Sequence, residues 1–129
     1  MSTLSPAVHL LFPLVAGETR LVIPLEETVL SAALKPASDR SQRLIVFVHG
    51  AASNASRWEE FVDTTALSQR WTLVRFDLRG HGASPARRPG RLENYADDIA
   101  AVIGAAGAHG PIVVVGHLSL IHISEPTRH

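Results

Sequence analysis

The sequence contains no cysteine, one methionine, and only four Phe, two Trp and one Tyr among its 129 residues. Without thiols there are no disulfides, no cysteine nucleophile and no Cys-ligated zinc, and the redox compartment leaves no mark on the chain. With few aromatics, the core has to come from Val, Ile, Leu and Ala. Charge of one sign is lacking as well. Twelve Lys and Arg stand against twelve Asp and Glu, which leaves no basic excess to grip phosphates and argues against a nucleic-acid partner. No apolar run approaches the ~20 residues that span a bilayer, so no membrane partner is expected. The apolar segment 7–17 has no Lys or Arg before it and contains Pro13, so it reads as mature sequence rather than a signal peptide, with a cytoplasmic location as the default. What remains, 46% apolar and 19% charged residues, is an ordinary globular composition for one domain at most.

Two apolar stretches, 7–15 and 20–34, are interrupted by Pro13, Gly17 and Pro24. They read as two or three strands in hairpin connection, which the prolines confine to a sheet edge. Leu44-Ile45-Val46-Phe47-Val48 has no polar alternation and ends at His49-Gly50, the pattern of a strand covered on both faces. Ser53 or Ser56 offers a helix cap before Trp58, Phe61 and Val62. Residues 71–76 form a second strand, followed by Asp77 and the turn Arg79-Gly80-His81-Gly82. Leu92, Tyr95, Ala96, Ile99, Val102, Ile103 and Ala106 fall at steps of three and four. They mark an amphipathic helix, with Glu93, Asp97 and Asp98 near the end where its dipole favours anions. Gly107 and Gly110-Pro111 close it, and Ile112–Val115 reads as a third buried strand running into Gly116-His117. Strand, helix, strand, helix, strand is the order of a doubly wound, mostly parallel α/β sheet, here with an N-terminal β-hairpin.

The chemistry-bearing groups divide unevenly. Seven histidines suggest a metal, yet none forms an i, i+4 pair on an expected helix, so neither metal nor cofactor is expected. Gly80-His81-Gly82 lacks both the third glycine of a dinucleotide loop and the Gly-Lys-Ser/Thr of a P-loop. Arg87, Arg88 and Arg91 read as a solvated basic loop.

Four features in order carry a family resemblance: the strand ending in His49-Gly50-Ala51-Ala52; Trp58 in the next helix; Phe76-Asp77-Leu78-Arg79-Gly80-His81-Gly82-Ala83-Ser84; and Val113-Val114-Val115-Gly116-His117. Together they resemble the N-terminal half of an α/β-hydrolase over about residues 28–117. The resemblance implies a truncated α/β-hydrolase-like fold whose parent hydrolyses an ester, lactone or related bond of a small molecule. It places an oxyanion-hole donor at Ala51, with Gly50 shaping the turn. It assigns Asp77, Arg79, His81 and Ser84 to a structural turn. Gly116-His117 begins the Gly-x-Ser-x-Gly nucleophile elbow, but Leu118 occupies the nucleophile position, Ser119 comes one residue late, and Leu120 stands where the second glycine belongs. The nucleophile of the parent, whether Ser, Asp or Cys, stays open.

From Leu118 to Arg128 the chain resembles the translation of a transposon-derived sequencing-library adapter, which divides it into an incomplete domain, 1–117, and an artefactual tail, 118–129. Glu125 with His122 or His129 follows the family's chain order for the acid and the base, but no strands intervene to position them. The expectation is a fragment without activity and with an open apolar strand edge. The alternative is a non-enzymatic α/β module that binds a small molecule in the crevice after His49 and Asp77.

Overall fold

The computed structural model describes residues 12–26, 28–50, 54–79 and 92–116. Readings that fall on 7–11, 51–53, 80–91 or 117–129 lie outside the described residues, among them those for Ala51, Ser53, His81, Ser84, His117, Leu118 and Ser119. Five strands form one sheet: β1 (Thr19–Pro24), β2 (Val29–Lys35), β3 (Leu44–Val48), β4 (Thr72–Phe76) and β5 (Ile112–Gly116). Their order is β1-β2-β4-β3-β5. The hairpin β1–β2 and the pair β2–β4 are antiparallel, while β4–β3 and β3–β5 are parallel. The α/β class, the N-terminal hairpin and the parallel centre agree with the sequence.

The central strand shows why the apolar run was informative. All five residues of β3 are buried. Period-2 alternation sends Leu44, Val46 and Val48 to one face and Ile45 and Phe47 to the other. The first face meets α2 (Leu92–Ala106), whose fully buried Val102 packs with Leu30, Ala32, Val74 and Phe76. The second face meets α1 (Glu59–Thr64) through Val62, and Phe47 stacks 5.1 Å from Trp58 and 5.6 Å from Phe61. Gly107 ends α2 at a φ of +70°, the left-handed conformation that glycine adopts without a Cβ penalty.

Several expectations are corrected locally. Asn54, rather than Ser56, caps the turn of 3₁₀ helix Ala55–Trp58 that leads into α1, its side chain accepting from the Ser56 amide at 2.9 Å. Asn carries the same short acceptor as Ser, so the signal lay two positions from Ser56. Residues 12–18 form no strand. They make a coil held by side chains instead: the Arg20 guanidinium donates to Phe12 O at 2.8 Å, and the Val15 amide donates to Glu18 Oε1 at 2.8 Å. No helix among the described residues is long and apolar enough to cross a membrane.

The reading of β5 as a buried strand fails. Ile112, Val113 and Val114 are 42%, 42% and 47% exposed, because among the described residues β5 pairs only with β3. An apolar strand with one unpaired edge is a template for association. The chain is therefore expected to self-associate at micromolar concentration, and Val114→Lys to shift it toward monomer in sedimentation velocity. Equal behaviour of the two chains would remove β5 as the cause.

Candidate active site

In a parallel sheet the C-terminal ends of the strands share one edge, and loops leaving that edge gather the reactive groups. The register aligns Val48 of β3 with both Phe76 of β4 and Gly116 of β5. His49-Gly50, Asp77-Leu78-Arg79 and Gly116 therefore leave the sheet side by side, although successive strand ends, Val48, Phe76 and Gly116, lie 28 and 40 positions apart along the chain. Of the residues singled out from the sequence, Gly50 and Gly116 are brought to this edge.

His49 is fully buried. Its Nε2 accepts from the Leu78 amide at 2.9 Å, and its Nδ1 lies 2.6 Å from Gly50 O. A backbone amide only donates, so Nε2 must carry the lone pair. In a neutral imidazole the single proton then sits on Nδ1, and the 2.6 Å contact is Nδ1–H donating to the carbonyl. With both ring nitrogens engaged by backbone, His49 is not poised to shuttle a proton at this edge. The sequence marked His49 only as the start of the loop, because its partner at Leu78 lies 29 residues away.

The turn after β4 is built from two buried carboxylates. Asp77, 1% exposed, accepts from the Ala55 amide through Oδ1 at 2.6 Å, and its own amide donates to Ser31 O at 3.0 Å. Arg79 is held by Asp98: the backbone amide donates to Oδ2 at 3.0 Å, and Nε and Nη2 donate to Oδ1 at 2.9 and 2.6 Å. Asp98 was grouped with the anions favoured by the helix dipole, but it is the seventh residue of α2, beyond the first turn where that effect acts. Its carboxylate instead clamps α2 to the turn after β4.

One residue that sequence reading missed sits beneath the β3 loop. Arg75, within β4, is fully buried. Its Nε and Nη2 donate to Glu18 Oε2 and Oε1 at 2.8 and 2.7 Å, Nη2 also donates to Pro13 O at 2.8 Å, and Nη1 donates to Ala55 O at 3.1 Å. The Phe12 ring lies 4.6 Å from its Cζ, within reach of a cation–π contact. Alternation placed Arg75 on the same face as Leu73, which gave no warning that its partner would be Glu18, 57 residues earlier.

Gly116 closes β5 at the position where the elbow turn would begin. A Cβ added there would meet nothing within 4 Å, so the crowding expected of elbow glycines is not found at this one among the described residues. No group of three or more His, Asp or Glu able to hold a metal occurs among them either.

Comparison with known proteins is consistent with this geometry. The alpha/beta hydrolase family model matches residues 45–118. The 2-(acetamidomethylene)succinate hydrolase of Mesorhizobium japonicum is 41% identical over 75 residues, which are 57% of this chain and 26% of that protein. A solved structure of E-2-(acetamidomethylene)succinate hydrolase superposes with a TM-score of 0.63 at 32% identity, covering 78% of this chain and 35% of its own. A haloalkane dehalogenase from Agrobacterium tumefaciens C58 shares the fold with a TM-score of 0.63 at 20% identity, over 79% of this chain and 33% of its own. The chain thus spans about a quarter of the length of that curated relative.

Proposed function

This chain belongs to the alpha/beta hydrolase family, and on that premise we propose that it is the N-terminal part of a hydrolase acting on a small molecule and is inactive as it stands. The observation that carries the proposal is the convergence of the His49-Gly50 loop and Gly116 at one sheet edge, fixed by the shared register of Val48 with Gly116. Acyl transfer needs a nucleophile at a sharp turn and N–H donors aimed at the developing oxyanion. In the complete enzyme the loop after β3 supplies the donor, at Ala51 with Gly50 shaping the turn. The turn after β5 presents the nucleophile.

In such an enzyme the nucleophile, whether Ser, Asp or Cys, bonds to the reacting carbon. A hydroxyl or thiol gives its proton to a base as it does so. For an ester or lactone, the negative charge that collects on the carbonyl oxygen is met by the loop donors. As the carbonyl re-forms, the C–O bond to the leaving alcohol breaks and that oxygen takes the proton held by the base. Water then hydrolyses the covalent intermediate to free the acid and the nucleophile. This chain cannot begin that sequence at position 118, because Leu118 carries no lone pair. Ser119 is one residue out of step with the elbow. The substrate is an ester, lactone or related small molecule, no cofactor is needed, and a cytoplasmic setting suits the reading.

We further propose that native coding sequence stops at His117 and that 118–129 is adapter-derived. Resequencing the locus across the junction tests this, since genomic DNA that continues naturally into Leu118 would contradict it. For activity, the 129-residue chain and its Ser119→Ala variant are expected to hydrolyse nitrophenyl acetate no faster than buffer. A full-length parent with Ser at 118 is expected to turn it over, which separates a hydrolase from a binding module. Turnover by the short chain that disappears in Ser119→Ala would overturn the assignment of inactivity.

A further inference from the structure

Independently of the hydrolase reading, we propose that β5 is a homodimer interface: two copies of this chain pair antiparallel along β5, centred on Val114, into one continuous sheet. The Leu44 amide donates to Pro111 O, and Leu44 stands opposite Ile112. Bonding residues alternate along a parallel ladder, so Pro111, Val113 and Val115 serve β3. The backbone amides and carbonyls of Ile112, Val114 and Gly116 therefore point the other way, toward the open edge. That set is self-complementary. A two-fold axis at Val114 sets it opposite Val114 of the partner subunit, and sets Ile112 opposite Gly116 of the partner subunit, so every outward group finds a mate. Centring on Val113 or Val115 would leave one of the three outward residues beyond the partner's strand.

Charge and space both suit a second copy. No residue of β5 is charged, so self-pairing sets no like charges opposite each other. A Cβ added at Gly116 would meet nothing within 4 Å among the described residues, which leaves room for Ile112 of the partner subunit. The covering helices do not collide either. α2 packs over β2, β3 and β4, and α1 over β3 and β4. The two β3 strands of the dimer lie three strand spacings apart, about 14 Å, wider than the ~10–12 Å of a helix. The opposite edge of the sheet is blocked. The Leu25 amide donates to Thr28 O, so alternation along the β1–β2 pair turns Arg20, Val22 and Pro24 outward. Pro24 has no N–H to offer there. Among the described residues this leaves β5 as the edge open to pairing, and a two-fold contact that uses it up closes the assembly at two copies.

The chain has no cysteine, so single cysteines placed in the full 129-residue chain report the register. Val114→Cys is expected to give a disulfide-linked dimer under mild oxidation. The Cα atoms of a directly opposed, hydrogen-bonded pair lie about 5.5 Å apart, within the span of a disulfide. Val113→Cys is expected to link at least about tenfold more slowly, because its two copies sit diagonally, about 7–8 Å apart. A mixture of Val113→Cys and Val115→Cys chains is expected to link one to the other, since these positions face across the strand pair. Equal linking at 113 and 114 would overturn the register. Two measurements need no substitution. In sedimentation velocity the parent chain is expected to reach two copies with rising concentration and to grow no further; growth past two would overturn the closed pairing. Hydrogen exchange at the Ile112, Val114 and Gly116 amides is expected to slow over the same range. A chain that stays monomeric throughout the micromolar range, with exchange at those amides independent of concentration, would overturn the interface itself, whether residues 117–129 cover β5 or nothing does.

Discussion

Replacing Arg75 with Leu is expected to destabilise the chain by about 3–5 kcal/mol, the cost of leaving half of a buried ion pair unpaired. Both side chains of the Arg75–Glu18 pair are fully buried, so water cannot take over from the missing guanidinium. Among the described residues Glu18 would keep only the Val15 amide as donor, and the carbonyls of Pro13 and Ala55 would each lose a donor as well. Set against the ~5–15 kcal/mol that holds a typical domain together, the loss removes a large share of total stability. Urea unfolding, with circular dichroism as the readout, measures it as a drop in midpoint. The pair Glu18→Leu with Arg75→Leu is expected to recover part of the loss, because it removes the stranded Glu18 carboxylate but leaves Glu59 Oε2, 3.7 Å from Arg75 Nη1, and the carbonyls of Pro13 and Ala55 without the guanidinium. A single variant within about 0.5 kcal/mol of the parent chain, the ordinary scatter of surface substitutions, would show that the pair contributes little.

Asp98→Ala is expected to cost about 3 kcal/mol by the same argument, at a different junction. Its fully buried carboxylate accepts three hydrogen bonds from Arg79, one of them from the backbone. The Arg79 side chain is 19% exposed and can recover some hydration, which keeps the figure at the lower end. Because the bonds join α2 to the turn after β4, the loss is expected to appear in hydrogen exchange as faster opening at Leu78 and Arg79, with the β1–β2 hairpin unaffected. Asp98→Asn, which keeps one acceptor oxygen, is expected to fall about midway. Uniform loosening across the sheet would instead mean that the clamp is not local.

These two junctions also show what the sequence could and could not reveal. Elements whose signal is periodic were legible. Leu44–Val48 reads as doubly covered because every residue is apolar, and α2 reads from its steps of three and four. The α/β order and the family resemblance came from them, and with these the edge where Gly50 and Gly116 meet. The charged contacts were not legible. Glu18 and Arg75, His49 and Leu78, Arg79 and Asp98 are 57, 29 and 19 residues apart, and a pairing across such spans leaves no local pattern. The apolar stretch 7–15 reads as a strand, but its described part, 12–15, forms none; Pro13 O and the Val15 amide instead meet Arg75 and Glu18. The apolar run Ile112–Val115 reads by itself as a buried strand, and the expectation of an open edge there comes from the family resemblance rather than from the run. Leu118 announced its departure from the elbow by identity alone.

The order of the strands carries a consequence for synthesis on the ribosome. The hairpin and the two central strands emerge first and close one side of the sheet, while β5 arrives last and leaves its outer edge unpaired among the described residues. In any longer protein built on this unit, the nascent polypeptide passes through an interval in which a sticky β5 waits for later residues to leave the exit tunnel. Domains that fold from the N-terminus as they are made are most prone to misassembly at such a moment. The interval is where a trigger-factor-like chaperone would matter most, and a translational pause just after Gly116 would lengthen it.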